Sequence, residues 1–288
     1  AYVGRGLGTN IGVGSAFTSI LTYVTIQLAI YGFFGGLVAR TAAASLGIDL
    51  PWYVWSIIAW VVVTGLSLMS VDVGAKVLGV FLILELSALL IVAGAILIDG
   101  GPSGIDVVAS FDPSAVLAGG LTGAAGIAIA FALASFIGFE ATAIYGEESA
   151  NPKKTVPLAT YWAIGIITAL FAIVAFAMVT GMGANQIFDQ VIARSSIEGV
   201  PLADPAAVLF SLASEYVGPW MATVMSWLVV SSLFAGLLAF QNATARYFFA
   251  MGRGGVLPAR FGMTNKAGAP RAGVILTSII ALVIIVIF

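Results

Sequence analysis

A glutamate, Glu140, stands deep in an apolar stretch that reads Phe131-Ala-Leu-Ala-Ser135-Phe136-Ile137-Gly138-Phe139-Glu140. A charged carboxylate near the middle of a membrane span costs about 2.5–3.5 kcal/mol on insertion scales, so its presence there needs a reason. Gly138 shortly precedes it, and the polar Ser135 and Thr142 flank it. A glycine in an apolar helix lets the backbone unwind where protein or water can satisfy the freed groups. The pattern reads as a discontinuous helix with a ligand site at the break. The plainer alternative is a packing glycine beside a glutamate bonded to a neighbouring helix.

Other polar groups lie in equally apolar surroundings. Glu85 has no partner close in sequence. It is a second candidate proton site, or the partner of a polar group on another helix. Tyr23, Gln27 and Tyr31 recur at i, i+4 and i+8 and share one helix face. Such a row points into a bundle, either as the wall of a substrate pocket or as interhelical hydrogen-bonding groups. The glycine clusters at Gly4, Gly6 and Gly8 and at Gly252, Gly254 and Gly255 are not nucleotide loops, because neither lies between a strand and a helix. The chain has no Cys and no His. That excludes a disulfide framework, thiol catalysis, the usual zinc sites and His-based acid–base chemistry. No catalytic residue, metal site or cofactor is expected.

The elements that must hold these groups follow from composition. Only 8% of the 288 residues are charged, 61% are hydrophobic, and mean hydropathy is +1.12. Soluble domains carry about 25% charged residues, so a water-soluble surface cannot be built from so few. Seven apolar segments, 10–38, 53–70, 75–98, 121–146, 158–182, 217–247 and 271–288, read as membrane helices. Barrel strands would be shorter and alternate in polarity. With the N-terminus on the cytoplasmic side, Arg5, Lys76, Lys153, Lys154, Arg246, Arg253, Arg260, Lys266 and Arg271 fall inside, and only Arg40 and Arg194 fall outside. In the long outside loop, Asp204-Pro205 reads as the start of a short helix over Val208 to Tyr216. The net charge of −2 gives no sign of a nucleic-acid partner. The chain begins Ala1-Tyr2-Val3 and ends within an apolar run, and it is expected to be part of a longer protein.

Three stretches carry a resemblance. Ser135-Phe-Ile-Gly138-Phe-Glu140, followed by Glu147-Glu148, Asn151-Pro152 and Pro157, resembles the sixth-helix signature and following loop of the amino acid–polyamine–organocation (APC) superfamily of transporters. Asn242-Ala-Thr-Ala-Arg246, Ala250-Met-Gly-Arg-Gly-Gly-Val-Leu-Pro258 and Pro270 resemble the end of its eighth helix and the loop to the ninth. Tyr2-Val-Gly-Arg-Gly-Leu-Gly8 resembles the approach to the third. One departure is Gly254, where the family usually has an acid.

The resemblance implies an all-α, polytopic transmembrane helix bundle of the inverted-repeat, five-plus-five helix (LeuT-like) type. Residues 1–288 would form one incomplete transmembrane domain, helices three to nine. Ala134, Ser135, Phe136, Ile137 and Gly138 would line the substrate, with freed carbonyls holding an ammonium group and Phe136 closing over it. Glu140 would be a proton-coupling or gating carboxylate, since removal from water favours the protonated form of a carboxyl group. Ser231 and Ser232 fall where sodium-coupled relatives hold their ion with hydroxyls, which suits a hard cation, although adjacent serines also serve plain helix packing. The implied function is secondary active transport of amino acids across the cytoplasmic membrane, as proton-coupled uptake by alternating access. The implied partners are a small-molecule amino acid or amine, the lipid bilayer and the proton. The alternative is an exchanger of amino acids, amines or polyamines. A channel-like or energy-transducing subunit fits less well, because every Lys sits at a loop or helix end and His is absent.

Overall fold

The structure is a computed structural model. It describes residues 2–69, 72–117, 124–144, 149, 151–197, 200–201, 204 and 206–287. Its elements are α1 (Tyr2–Leu7), α2 (Thr9–Leu46), α3 (Trp52–Leu68), α4 (Asp72–Asp99), α5 (Val107–Phe111), α6 (Pro113–Leu117), α7 (Ala124–Ala134), α8 (Ala141–Ile144), α9 (Pro152–Met182), α10 (Ile187–Arg194), α11 (Ala207–Tyr216), α12 (Pro219–Arg253) and α13 (Arg271–Ile287). Helices prevail because a chain with this little polarity must satisfy its backbone internally. Thr9–Leu46, Gly79–Asp99, Pro152–Met182 and Pro219–Arg253 are long and apolar enough to cross a membrane, and Trp52–Leu68, Ala125–Ala134 and Arg271–Ile287 are shorter apolar helices. Leu158, Tyr161, Trp162, Ile166 and Phe171 of α9 are exposed. A helix so apolar and so exposed is suited to lipid, not water.

The stretch expected as one span over 121–146 is interrupted. Helix α7 stops at Ala134, residues 135–140 run as turns, and α8 resumes at Ala141. Gly120 and Gly123 at its expected start, the paired Glu147 and Glu148 after it, and Pro205 lie outside the described residues.

The chain divides into two compact units, residues 1–85 with 223–288, and residues 86–222. In the first, the buried Ile20, Tyr23, Gln27, Tyr31, Phe34 and Val38 of α2 recur every three or four residues and make one stripe. Tyr31, Phe34 and Val38 join Ala59 and Val63 of α3, Leu237 of α12, and Ala281 and Ile285 of α13 in a single core. Packing in lipid depends on close approach and interhelical hydrogen bonds, since the tails are as apolar as the side chains. Gly35 supplies the close approach: a Cβ there would run into Ser56 Oγ and the Trp52 carbonyl. Ser56 Oγ in turn donates to the Tyr31 carbonyl at 2.9 Å. Gly35→Ala is therefore expected to cost about 1–3 kcal/mol by overpacking. A lower thermal unfolding midpoint of the full-length protein checks this, and an unchanged midpoint would show that α2 and α3 can part freely.

In the second unit, the Phe111 ring stacks on Phe176 of α9, centroids 5.6 Å apart. Ser196–Ile197 and Val200–Pro201 pair as a two-residue antiparallel ladder between α10 and α11. The short helix expected over 208–216 is α11. Its start differs from expectation, because Ala206 is the residue before the helix. The Asp204 carboxylate accepts instead from the Ala206 N–H at 2.9 Å, so it closes a turn ahead of the helix.

Candidate functional site

The break after α7 is built by backbone geometry. Ser135 N–H still donates to the Phe131 carbonyl, 2.9 Å away, as in an α-helix. The next bonds tighten to three-residue spacing, Phe136 N–H to Leu133 O at 3.2 Å and Ile137 N–H to Ala134 O at 3.0 Å. Gly138 then adopts φ +111°, a conformation closed to most side chains. Its N–H leaves the backbone ladder and donates to Glu140 Oε2 at 3.0 Å. Among the described residues, nothing donates to the carbonyls of Ser135 and Ile137. Phe136 packs edge-on against Phe171 of α9, centroids 6.2 Å apart. The hydroxyls of Thr142 and Thr160, 2.6 Å apart, tie α8 to α9. Ser135 Oγ is turned back onto the Phe131 carbonyl at 2.8 Å. The break thus presents carbonyl oxygens as partial negative charge, beside a half-buried carboxylate that already holds one backbone N–H.

The remaining candidates belong to the other unit. Glu85 of α4 lies beside Ser232 of α12 there. Ser231 Oγ donates within its own helix to the Leu228 carbonyl, 2.7 Å away. Tyr23, Gln27 and Tyr31 do share one face, and it is almost wholly buried. Tyr23 is held edge-on by Phe240 and Tyr247 of α12, at 5.4 and 5.7 Å. The Tyr31 carbonyl accepts from Ser56 Oγ of α3 at 2.9 Å. Gln27 Nε2 donates to Gln241 Oε1 at 2.6 Å. Gln241 Nε2 then donates to Ser278 Oγ at 2.7 Å and to the Val274 carbonyl at 3.1 Å. Thr64 Oγ1 closes the series onto Ser278 Oγ at 3.0 Å. One polar chain therefore links α2, α12, α13 and α3.

The chain matches the amino acid permease family over residues 2–288. It belongs to that family. The family is part of the APC superfamily, and the long apolar helices fit a multi-pass membrane protein. It is 29% identical over 150 residues to the branched-chain amino acid permease BcaP of Lactococcus lactis subsp. cremoris, covering 52% of this chain and 29% of that protein. It is 25% identical over 247 residues to the histidine permease HisP of the same organism, covering 81% and 48%. An uncharacterised transporter of Legionella pneumophila is 27% identical over 156 residues, covering 54% and 31%. The permease chain spans less than half the length of each of these relatives.

Within the permease, the break brings Ser135 to Gly138 together with Glu140, and the Tyr23 face is assembled separately on the other unit. Sequence reasoning did not single out Gln241 or Ser278. The available signal was polarity alone: Gln241 and Asn242 follow an apolar run, and Thr277 and Ser278 interrupt another. The network gives a direct expectation. Gln27→Leu leaves the Gln241 carbonyl oxygen without its donor, and a buried unsatisfied group costs about 1–3 kcal/mol. The thermal unfolding midpoint of full-length permease should fall accordingly. Gln27→Leu paired with Gln241→Leu should recover part of the loss, and a double variant as unstable as the sum of both would argue against their coupling.

Proposed function

We propose that this permease is part of a secondary transporter that takes up amino acids across the cytoplasmic membrane, coupled to protons, by alternating access. The observation that carries the reading is the break at 135–140, with Gly138 at φ +111° and carbonyls freed of helix bonding. An unwound stretch within a membrane helix is suited to a small charged substrate, because carbonyl dipoles compensate an ammonium group without a second buried charge. Ala134, Ser135, Ile137 and Gly138 offer the wall, and Phe136 offers an apolar cover. The names of the branched-chain amino acid and histidine permeases support an amino-acid substrate.

Glu140 is the proposed coupling group. Its carboxylate holds the Gly138 N–H, so taking up a proton there would weaken the bond that shapes the break. The Glu85–Ser232 pair is the second proton candidate, and Ser231 and Ser232 as a sodium pair are the less favoured reading, because Ser231 is committed to its own helix. In this orientation the N-terminus of the chain is cytoplasmic, as the nine basic residues imply. The alternative is obligatory exchange of one amino acid or amine for another. Full-length protein in proteoliposomes decides between the two. Accumulation of labelled branched-chain amino acid or histidine in empty vesicles, collapsed by a protonophore, supports coupled uptake. Uptake confined to vesicles preloaded with counter-substrate supports exchange.

A further inference from the structure

The segment that joins α12 to α13 carries charge of a single sign. From Val217 to Phe288 the chain holds five basic residues, Arg246, Arg253, Arg260, Lys266 and Arg271, and no acid. Arg253, Arg260, Lys266 and Arg271 are exposed. Arg253 ends α12 and Arg271 opens α13, with the other two between them. Among the described residues, no ion pair engages Arg260, Lys266 or Arg271. Arg271 is placed against its own helix, because a helix N-terminus already carries roughly half a positive charge. Cations gathered in this way repel one another, and an anion is what relieves them.

The neighbouring apolar surface sets the level at which these charges lie. Ile275, Ile279, Val283 and Val286 of α13 are exposed and follow Arg271 at intervals of three or four residues. One apolar stripe therefore runs along the helix from a cationic foot. Such a stripe faces hydrocarbon, and an arginine at its end keeps its stem on the apolar side and its head among the lipid headgroups. The segment before α13 repeats the mixture. Along it the exposed Val256 and Met263 alternate with Arg253, Arg260 and Lys266. Apolar side chains between cations suit the boundary of headgroups and acyl chains.

The segment is also held in one shape. The Val256 and Leu257 N–H groups both donate to the Met251 carbonyl, at 3.0 and 3.3 Å, which turns the chain off α12. Gly252 lies against Gly262, where a Cβ would run into the backbone nitrogen. The Phe261 ring is seated on Phe248, centroids 5.6 Å apart. Asn265 Nδ2 donates to the Leu68 carbonyl at the end of α3, 2.8 Å away, while its Oδ1 accepts from the Ala267 and Ala269 N–H groups at 2.9 Å. Arg253 and Arg260 lie over the rings of Phe249 and Phe261, at 5.5 and 5.6 Å. A guanidinium resting on a ring keeps its N–H edge for an anion, and its fork matches the oxygens of a phosphate.

We infer that the segment from Arg253 to Arg271 binds the headgroups of anionic membrane lipid. Arg253, Arg260, Lys266 and Arg271 hold the phosphates, and Val256 and Met263 lie among the first carbons of the acyl chains. Lipid on this surface ties together the ends of α12 and α13 and, through Asn265, of α3. Anionic lipid is concentrated in the cytoplasmic leaflet, the side to which the basic residues assign this segment. That side belongs to the orientation proposed above; the binding itself does not depend on it.

Native mass spectrometry of full-length permease in a non-ionic detergent reads the binding directly. Dioctanoylphosphatidylglycerol should be retained in preference to dioctanoylphosphatidylcholine. Arg260→Gln together with Lys266→Gln should weaken phosphatidylglycerol binding roughly 25-fold, about fivefold for each charge removed. Both side chains are exposed, so the fold should survive, and circular dichroism checks that it does. Lys266→Gln alone should show its fivefold share while leaving the ring contact of Arg260 in place. Lys153→Gln with Lys154→Gln removes two exposed charges from the other unit and should leave the tightest-bound lipid unaffected. Equal retention of the two lipids, or undiminished binding in Lys266→Gln and in the Arg260→Gln, Lys266→Gln pair, overturns the inference. An equal loss in the Lys153→Gln, Lys154→Gln pair also overturns it, since overall charge and not this surface would then be the cause. Glycerol 3-phosphate, which has the headgroup chemistry without the chains, should not compete at the same concentration. Full competition would assign a soluble phosphate and overturn the lipid.

Discussion

Gly138→Ala in the full-length permease is expected to reduce amino-acid uptake by roughly 5- to 150-fold at unchanged membrane abundance, the equivalent of about 1–3 kcal/mol of backbone strain. Gly138 has φ +111°, and among the described residues nothing lies within 4 Å of where a Cβ would be. The effect is therefore conformational and not a clash. An alanine relieves its strain by moving toward helical φ, which would extend α7 into α8 and engage the carbonyls of Ser135 and Ile137 in helix bonds. The oxygens proposed to hold the ammonium group would then be occupied. Gly65 of α3 is the matched control, since it also has open space around it but no positive φ. Gly65→Ala should transport normally and be neutral or slightly stabilising. Initial rates in proteoliposomes, normalised by immunoblot, read the difference. Full activity of Gly138→Ala would mean that the break is not needed.

Glu140→Gln should separate geometry from proton coupling. The amide keeps an oxygen that can accept the Gly138 N–H, now 3.0 Å from Glu140 Oε2, so the break should survive. What it loses is the ability to carry a proton. A pH difference of one unit is worth about 1.36 kcal/mol, or roughly tenfold accumulation per coupled proton. In the variant that accumulation should collapse to the external concentration, while counterflow between equal concentrations continues. Accumulation as in the wild type would remove Glu140 from coupling. Glu85→Gln is the companion measurement. If it alone abolishes accumulation, the Glu85–Ser232 pair carries the proton.

Much of the fold was legible because apolar length is a strong signal. The runs at 53–70, 75–98 and 271–288 became helices with nearly the same bounds, Trp52–Leu68, Asp72–Asp99 and Arg271–Ile287. The break was legible because a glycine and an acid inside an apolar run each violate what a plain membrane helix requires. The shared face of Tyr23, Gln27 and Tyr31 followed from helical periodicity. What covers that face did not, since Gln27 meets Gln241 across 214 residues and local pattern carries no information at that range. Glu85 looked isolated for the same reason, since Ser232 beside it lies on α12. Asp204 misled because a capping residue and a turn-closing residue have the same sequence signature.

The account stands or falls on whether substrate occupies the break. Ala134 is exposed at the edge of it, and this chain has no Cys of its own. An Ala134→Cys variant of the full-length permease, made in a background without other reactive thiols, can be labelled with a membrane-permeant maleimide. Transported amino acid should slow that labelling in a saturable way, while a Ser226→Cys control on α12 should label at the same rate with and without substrate. Labelling of Ala134→Cys that is unaffected by saturating substrate, in a variant that still transports, would contradict the assignment.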